Sequence, residues 1–144
     1  MPKFKLQSVL DHRLRLEDLA KQDLAEVLRR KQELSQTLIR EKESFANLQN
    51  EFSLEQEQGI TAQEIIFYHQ HLDAKARLIT NLKQALEQLL DEEERKRDAL
   101  CRASQDKKLL EKFKDKKMLE EYERLRRLEN NQFDEIAVQR SFKR

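Results

Sequence analysis

The sequence predicts an all-α fold: an antiparallel two-helix coiled-coil hairpin with a longer second helix. Three observations carry this. The 144 residues hold one Gly, at position 59, and one Pro, at position 2. Apolar residues recur at steps of three and four on both sides of Gly59. The pattern after Gly59 runs much further than the pattern before it. Gly and Pro are the strongest local breaks in a chain. A sequence with a single internal break holds at most two long elements.

Helix 1 is expected over about 7–57, beginning near Gln7 or Ser8. Its apolar seam reads Leu24, Val27, Lys31, Leu34, Leu38, Glu41, Phe45, Leu48, Phe52. This is a coiled-coil heptad with Lys31 and Glu41 as polar interruptions. Nearer the start, Leu6, Leu10 and Ala20 join the seam, while Leu14, Leu16 and Leu19 fall beside it and broaden the stripe.

The turn is expected over about 58–61. Gly59 suits the left-handed position just past a helix end. Thr61-Ala62-Gln63-Glu64 matches a capping box, in which the Thr61 hydroxyl accepts from the Glu64 amide and the Glu64 carboxylate reaches back to the Thr61 amide. Ile60 and Ile65 stand at the positions of a hydrophobic staple. So short a link makes the two helices antiparallel neighbours. One continuous helix in a parallel dimer is the rival reading, and the Gly59 stop and Thr61 cap argue against it.

Helix 2 is expected over about 62–139. Its seam reads Ile65, Tyr68, Leu72, Lys75, Ile79, Leu82, Leu86, Leu89, then Glu93, Lys96, Leu100 and Ala103. After Leu110 it passes through Lys114 and Met118 to Tyr122 in steps of four, a stutter that locally unwinds a supercoil. Folding the chain at Gly59 sets Phe52 against Ile65 and Leu6 near Leu110. Helix 2 then overhangs by roughly 28 residues, about 40 Å at the α-helical rise. The overhang carries Phe113, Met118, Leu119, Tyr122, Leu125, Leu128, Phe133, Ile136, Ala137 and Val138. A lone helix with that apolar load calls for a cover, either a second copy or another protein.

Composition fits a long charged helix rather than a globular core. Charged residues make up 40% of the chain and aromatics 6%, with no Trp. Lys plus Arg number 29 and Asp plus Glu 28, giving a net charge of +1 and no long-range pull toward nucleic acid or anionic lipid. Basic residues gather at Lys107, Lys108, Lys112, Lys114, Lys116, Lys117, Arg124, Arg126 and Arg127. Glu111, Asp115, Glu120, Glu121, Glu123 and Glu129 interleave with them, unlike a single-signed phosphate-binding stripe. The lone Cys101 cannot form an internal disulfide and is expected as a small buried hydrophobe beside Leu100. No apolar window reaches transmembrane length, and Met-Pro-Lys-Phe-Lys lacks the apolar stretch of a secretory signal. The expected location is the cytoplasm.

Catalytic chemistry has little to stand on. One Gly excludes a P-loop. His69 and His71, two apart on a helix, point to different sides and do not share a metal. Two packed helices form no enclosed pocket to shift a carboxylate. The expectation is a non-enzymatic protein with no cofactor and no metal.

At the N-terminus stand Lys3-Phe4-Lys5-Leu6-Gln7-Ser8-Val9-Leu10-Asp11, then Arg13, Glu17, Ala20 and Leu24-Ala25. At the C-terminus stand Asp134-Glu135-Ile136-Ala137-Val138-Gln139-Arg140, preceded by Leu110-Glu111-Lys112 and Glu120-Glu121-Tyr122. Together with the turn, these resemble the FliJ family of bacterial flagellar type III export proteins, over the whole chain. Ser141 stands between Arg140 and Phe142, where an aromatic often follows Arg directly in the family. The resemblance implies an antiparallel coiled coil like the gamma stalk of rotary ATPases. It implies insertion in the central pore of the hexameric export ATPase FliI, promotion of its assembly and turnover, contact with the export gate protein FlhA, and recycling of substrate chaperones. It places the protein in the cytoplasm, peripherally associated with the inner-membrane export apparatus. The ATPase-facing residues it implies are Leu6, Leu10, Arg13, Phe133, Ile136, Val138 and Arg140. Asn50-Glu51-Phe52 and Phe67-Tyr68-His69-Gln70 resemble the family's gate-contacting region, and the gate-facing residues this implies are Leu48, Phe52, His71, Leu78 and Leu82. Two alternatives stay open: the equivalent stalk of a virulence type III secretion system, and a generic coiled-coil scaffold or RNA-binding arm.

Overall fold

The structure, a computed structural model, describes residues 4–142. Helix α1 spans Gln7–Gln58 and helix α2 spans Ala62–Phe142. The two helices pack against each other as an all-α hairpin. Helix α2 runs past the expected end near 139, because no Gly or Pro stops the backbone where the apolar spacing fades. Lys3, with which the family resemblance opens, lies outside the described residues.

The turn forms as its residues dictate. Gly59 adopts φ 92° and its amide donates to the Gln56 carbonyl at 3.3 Å. The left-handed backbone carries α1 into α2 at a residue with no Cβ to oppose it. The Thr61 hydroxyl accepts the Glu64 amide at 3.2 Å, and the Thr61 carbonyl accepts the Ile65 amide at 3.1 Å. Among the described residues the expected return bond from the Glu64 carboxylate to the Thr61 amide does not form, so the cap is one-sided. Ile60 and Ile65 are both half-buried.

Contacts divide the chain into two compact units. One is Lys21–Ala99; the other joins the residues up to Ala20 with those from Leu100 onward.

In the Lys21–Ala99 unit the heptad seam is the core. Leu24, Val27 and Leu38 are buried on α1, and Lys31, Leu34, Glu41, Phe45, Leu48 and Phe52 are half-buried. On α2, Ile79 and Glu93 are buried, and Ile65, Leu72, Leu82, Leu86 and Leu89 are half-buried. The charged seam residues pair across the helices: Lys31 with Glu93 at 3.1 Å, and Lys75 with Glu41 at 3.6 Å. Arg30 reaches Glu92 at 2.8 Å and Tyr68 donates to Glu51 at 3.2 Å. Late residues of α1 meet early residues of α2, so the pairing is antiparallel. Phe52 packs on Tyr68, with ring centroids 4.9 Å apart, and on His69 at 5.4 Å. Ring-on-ring contact draws the large seam side chains together.

In the second unit the seam continues by the same steps, but through charge. Leu10 and Glu17 are buried, and Arg13 and Ala20 half-buried. Lys107 donates to Glu17 at 3.1 Å, and Arg13 to Asp106 at 3.3 Å. Three expectations change here. Leu6 stands off the seam at 40% exposure, and Phe4 takes the place across from α2, its ring 5.9 Å from Phe113. Cover on α2 therefore reaches past Leu110 to Met118 and Glu121, which are half-buried, while Tyr122 is exposed. Cys101 is exposed, because it lies one residue, about 100° of helix, round from the half-buried Leu100.

Candidate functional site

The exposed tail of α2 is the first candidate surface. Beyond Glu121 every described residue is exposed. Leu125, Leu128, Phe133, Ile136 and Val138 are 43–69% accessible to water. Phe133, Ile136 and Arg140 line one shallow groove with Ala137 and Ser141, a spacing that puts them on one helical face. Val138 lies in another groove with Asp134, Glu135 and Gln139. The tail thus offers apolar residues on more than one side. Ion pairs within the helix stiffen its approach: Arg124 bonds Glu121 and holds that carboxyl below its ordinary range.

The three expected partners near the N-terminus, Leu6 just before α1 and Leu10 and Arg13 on it, do not gather with the tail. Leu10 is buried in the seam. Arg13 is engaged with Asp106. Leu6 lines a separate cleft of about 580 Å³ with Phe4, Lys5, Phe113, Lys117, Met118 and Glu121. Within it the Lys117 ammonium stands 5.5 Å over the Phe113 ring, a cation–π contact. The sequence showed Phe4 only as part of the N-terminal motif and Lys117 only as one of the basic residues, because an apolar period weighs neither a lone aromatic before a helix nor a lysine over a ring.

The second candidate surface lies near the turn. Leu48, Phe52 and Leu82 are half-buried seam residues, so their first role is packing. His71 and Leu78 are exposed. Phe67, one turn before His71, has its ring 4.6 Å from the imidazole and is 57% exposed. Phe67, His71 and Leu78 follow the i, i+4, i+11 spacing of one outward stripe. The signal for Phe67 was in the sequence: it stands one turn before His71, off the heptad.

No described helix is long and apolar enough to cross a membrane, and no group of His, Cys, Asp and Glu among the described residues is placed to hold a metal ion. Apart from the cleft beside Phe113, the candidate surfaces are elongated helix faces.

Comparison with curated proteins and with solved structures found no match. The family model described as "Flagellar FliJ protein" matches residues 2–144. That is essentially the whole chain, turn and tail included. The chain therefore belongs to the flagellar FliJ family, whose members are non-catalytic proteins associated with flagellar export.

Proposed function

We propose that this protein is the stalk that activates the hexameric flagellar export ATPase FliI by inserting in its pore, and that it links the ring to the export gate protein FlhA and to substrate chaperones. The observation that supports this reading best is the α2 tail past Glu121, whose large apolar residues face water with nothing from α1 across from them. Phe133, Ile136, Val138 and Arg140 are the residues offered to the ring. Leu10 and Arg13 serve it indirectly, by fixing α1 against α2 where the tail departs. The gate-facing contact falls to the outward His71 and Leu78, with Leu48, Phe52 and Leu82 supporting them from the seam. The protein works on the cytoplasmic side, held to the membrane only through the apparatus.

The mechanism is asymmetric contact. One tail in a six-fold pore cannot meet six subunits alike. Subunits that meet it bind it in one conformation more tightly than in another, and only such differential affinity shifts a conformational equilibrium. Nucleotide turnover then changes because the ring's states are no longer equally populated.

Deleting the residues after Gln132 tests this. The truncated chain is expected to keep its helical circular dichroism and to lose stimulation of ATP hydrolysis by the purified ATPase. Undiminished stimulation removes the tail from the mechanism.

A further inference from the structure

Between Lys42 and Lys75 the chain has no Lys or Arg, yet it carries Glu43, Glu51, Glu55, Glu57, Glu64 and Asp73. In a sequence with a net charge of only +1 this is a pronounced local bias, and it brackets the turn. The same stretch holds a string of touching rings. His71 meets Phe67 at 4.6 Å, Phe67 meets Tyr68 at 6.2 Å, Tyr68 meets Phe52 at 4.9 Å, and Phe52 meets His69 at 5.4 Å. The Tyr68 hydroxyl donates to Glu51 at 3.2 Å. Burial of that hydroxyl, then the charge of Glu51 with smaller contributions from Glu55 and Glu64, pushes its ionisation up. Glu51 bonds the ring's hydroxyl directly, and Glu55 and Glu64 stand one helical turn from Glu51 and Tyr68 on their own helices. Flanking it, Leu54 and Ile66 are 61% and 56% exposed.

We infer that Phe67 and Tyr68, with Glu51, Glu55 and Glu64 around them, form a docking surface for a basic protein segment that lays Arg or Lys side chains on the rings and their charges among the carboxylates. The inference deepens the gate-facing part of the proposed function by naming the chemistry of the partner, and it rests on that reading only for which protein supplies the segment. Charge decides the class of occupant. Six acids with no Lys or Arg interspersed among them bias this end of the hairpin against nucleic acid and anionic lipid and toward a cationic chain, although Arg40 and Lys75 border Glu43 and Glu51 on one side. Ring faces carry negative quadrupole density, so a guanidinium or ammonium gains from the ring as well as from the carboxylates. The molecule uses the same contact elsewhere, where Lys117 lies over Phe113. Exposed apolar side chains beside the acids give the partner's own apolar residues a place to bury, which charge pairs at a surface do not provide alone.

The test uses the full chain, isotopically labelled, and two synthetic helical peptides: one of alternating Arg and Leu, and one with Glu replacing each Arg. The Arg peptide is expected to perturb backbone amides of residues 51–71, and the Glu peptide to perturb none. Its affinity should fall about tenfold as salt rises over the range in which the Debye length shrinks from about 10 Å to about 5 Å. The triple variant Glu51→Gln, Glu55→Gln, Glu64→Gln should weaken binding about tenfold, and Phe67→Ala about fivefold, both with unchanged helicity. Perturbations spread over acidic faces elsewhere, such as Glu26 and Glu33, overturn the inference. So does undiminished binding by the triple variant, or sedimentation showing that a second copy's basic tail occupies the surface. The cytosolic part of the gate protein, assayed in parallel, reads the other claim. If the Arg peptide docks and the gate fragment does not, the gate assignment fails and the inference stands. A gate fragment and an Arg peptide both bound equally by wild type and triple variant keep the assignment and sink the inference.

Discussion

The Glu17 carboxylate takes a hydrogen bond from the Lys107 ammonium at 3.1 Å, with the two side chains only 6% and 18% exposed. Both occupy positions where a coiled coil normally carries an apolar residue. Lys31 with Glu93 and Glu41 with Lys75 repeat the arrangement. In a parallel pairing of two copies each of these residues would face its own like. The antiparallel hairpin gives each its opposite, and polar seam residues are known to fix register and partner at some cost in stability.

Reversing one charge at this pair should therefore damage the hairpin, and reversing both should repair it. Glu17→Lys and Lys107→Glu are each expected to lower the thermal midpoint measured by circular dichroism. The double variant should recover most of the loss. A double variant as unstable as the worse single one would show that the pair does not act through its opposite signs.

The same pairs set the pH range of stability. The bonds from Lys31 and then Arg97 hold the Glu93 carboxyl below its ordinary 4.5. Its contribution is present above 4.5 and is lost as pH falls through the lowered value. The bond to Glu17 raises Lys107 above its ordinary 10.5. That contribution is present below 10.5 and is lost as pH rises through the raised value. The thermal midpoint should be flat between these limits and fall on both sides, with Glu93→Gln flattening the acid limb. An acid limb unchanged in that variant would assign it to other carboxylates.

Val27 is 1% exposed in the centre of the seam, and Val138 is 54% exposed on the tail. Val27→Ala removes two methyl groups from a packed site and should cost about 1–3 kcal/mol in denaturant titration. Val138→Ala should leave stability within about 0.5 kcal/mol of wild type. Stimulation of the ATPase should respond in the opposite order, reduced by Val138→Ala at temperatures where both variants are folded. Equal stimulation by both would separate Val138 from partner binding.

Gly59→Ala should cost about 1 kcal/mol, because φ 92° opposes a Cβ even though no atom stands within 4 Å of where it would lie. Thr61→Ala should cost about as much, by freeing the Glu64 amide. The two lie so close that their effects need not add. A Gly59→Ala chain as stable as wild type would mean that the turn tolerates a different backbone, which the altered amide shifts of 56–62 would reveal.

How much of this was legible beforehand depends on which force sets each feature. The stop at Gly59, the Thr61 hydroxyl cap and the seam from Leu24 to Phe52 are local or periodic, so spacing and residue type sufficed. The exposed α2 tail followed from the unequal lengths of the two patterns. Apolar spacing is blind to charge, so it passed over Glu17 and Arg13 as seam positions. It also placed Cys101 inside, because one residue of helical rotation separates a core site from a wet one.

The sequence by itself determined two helices, their joint and their antiparallel sense, since backbone breaks and hydrophobic period are properties of a single strand of residues. Only the tertiary structure decided which charges lie in the seam, that Phe4 covers Phe113, and that Phe52, Tyr68, Phe67 and His71 form one string of rings. A buried charge is tolerable when its counterpart from the other helix arrives within hydrogen-bonding distance, and that distance exists only after the chain has folded back on itself.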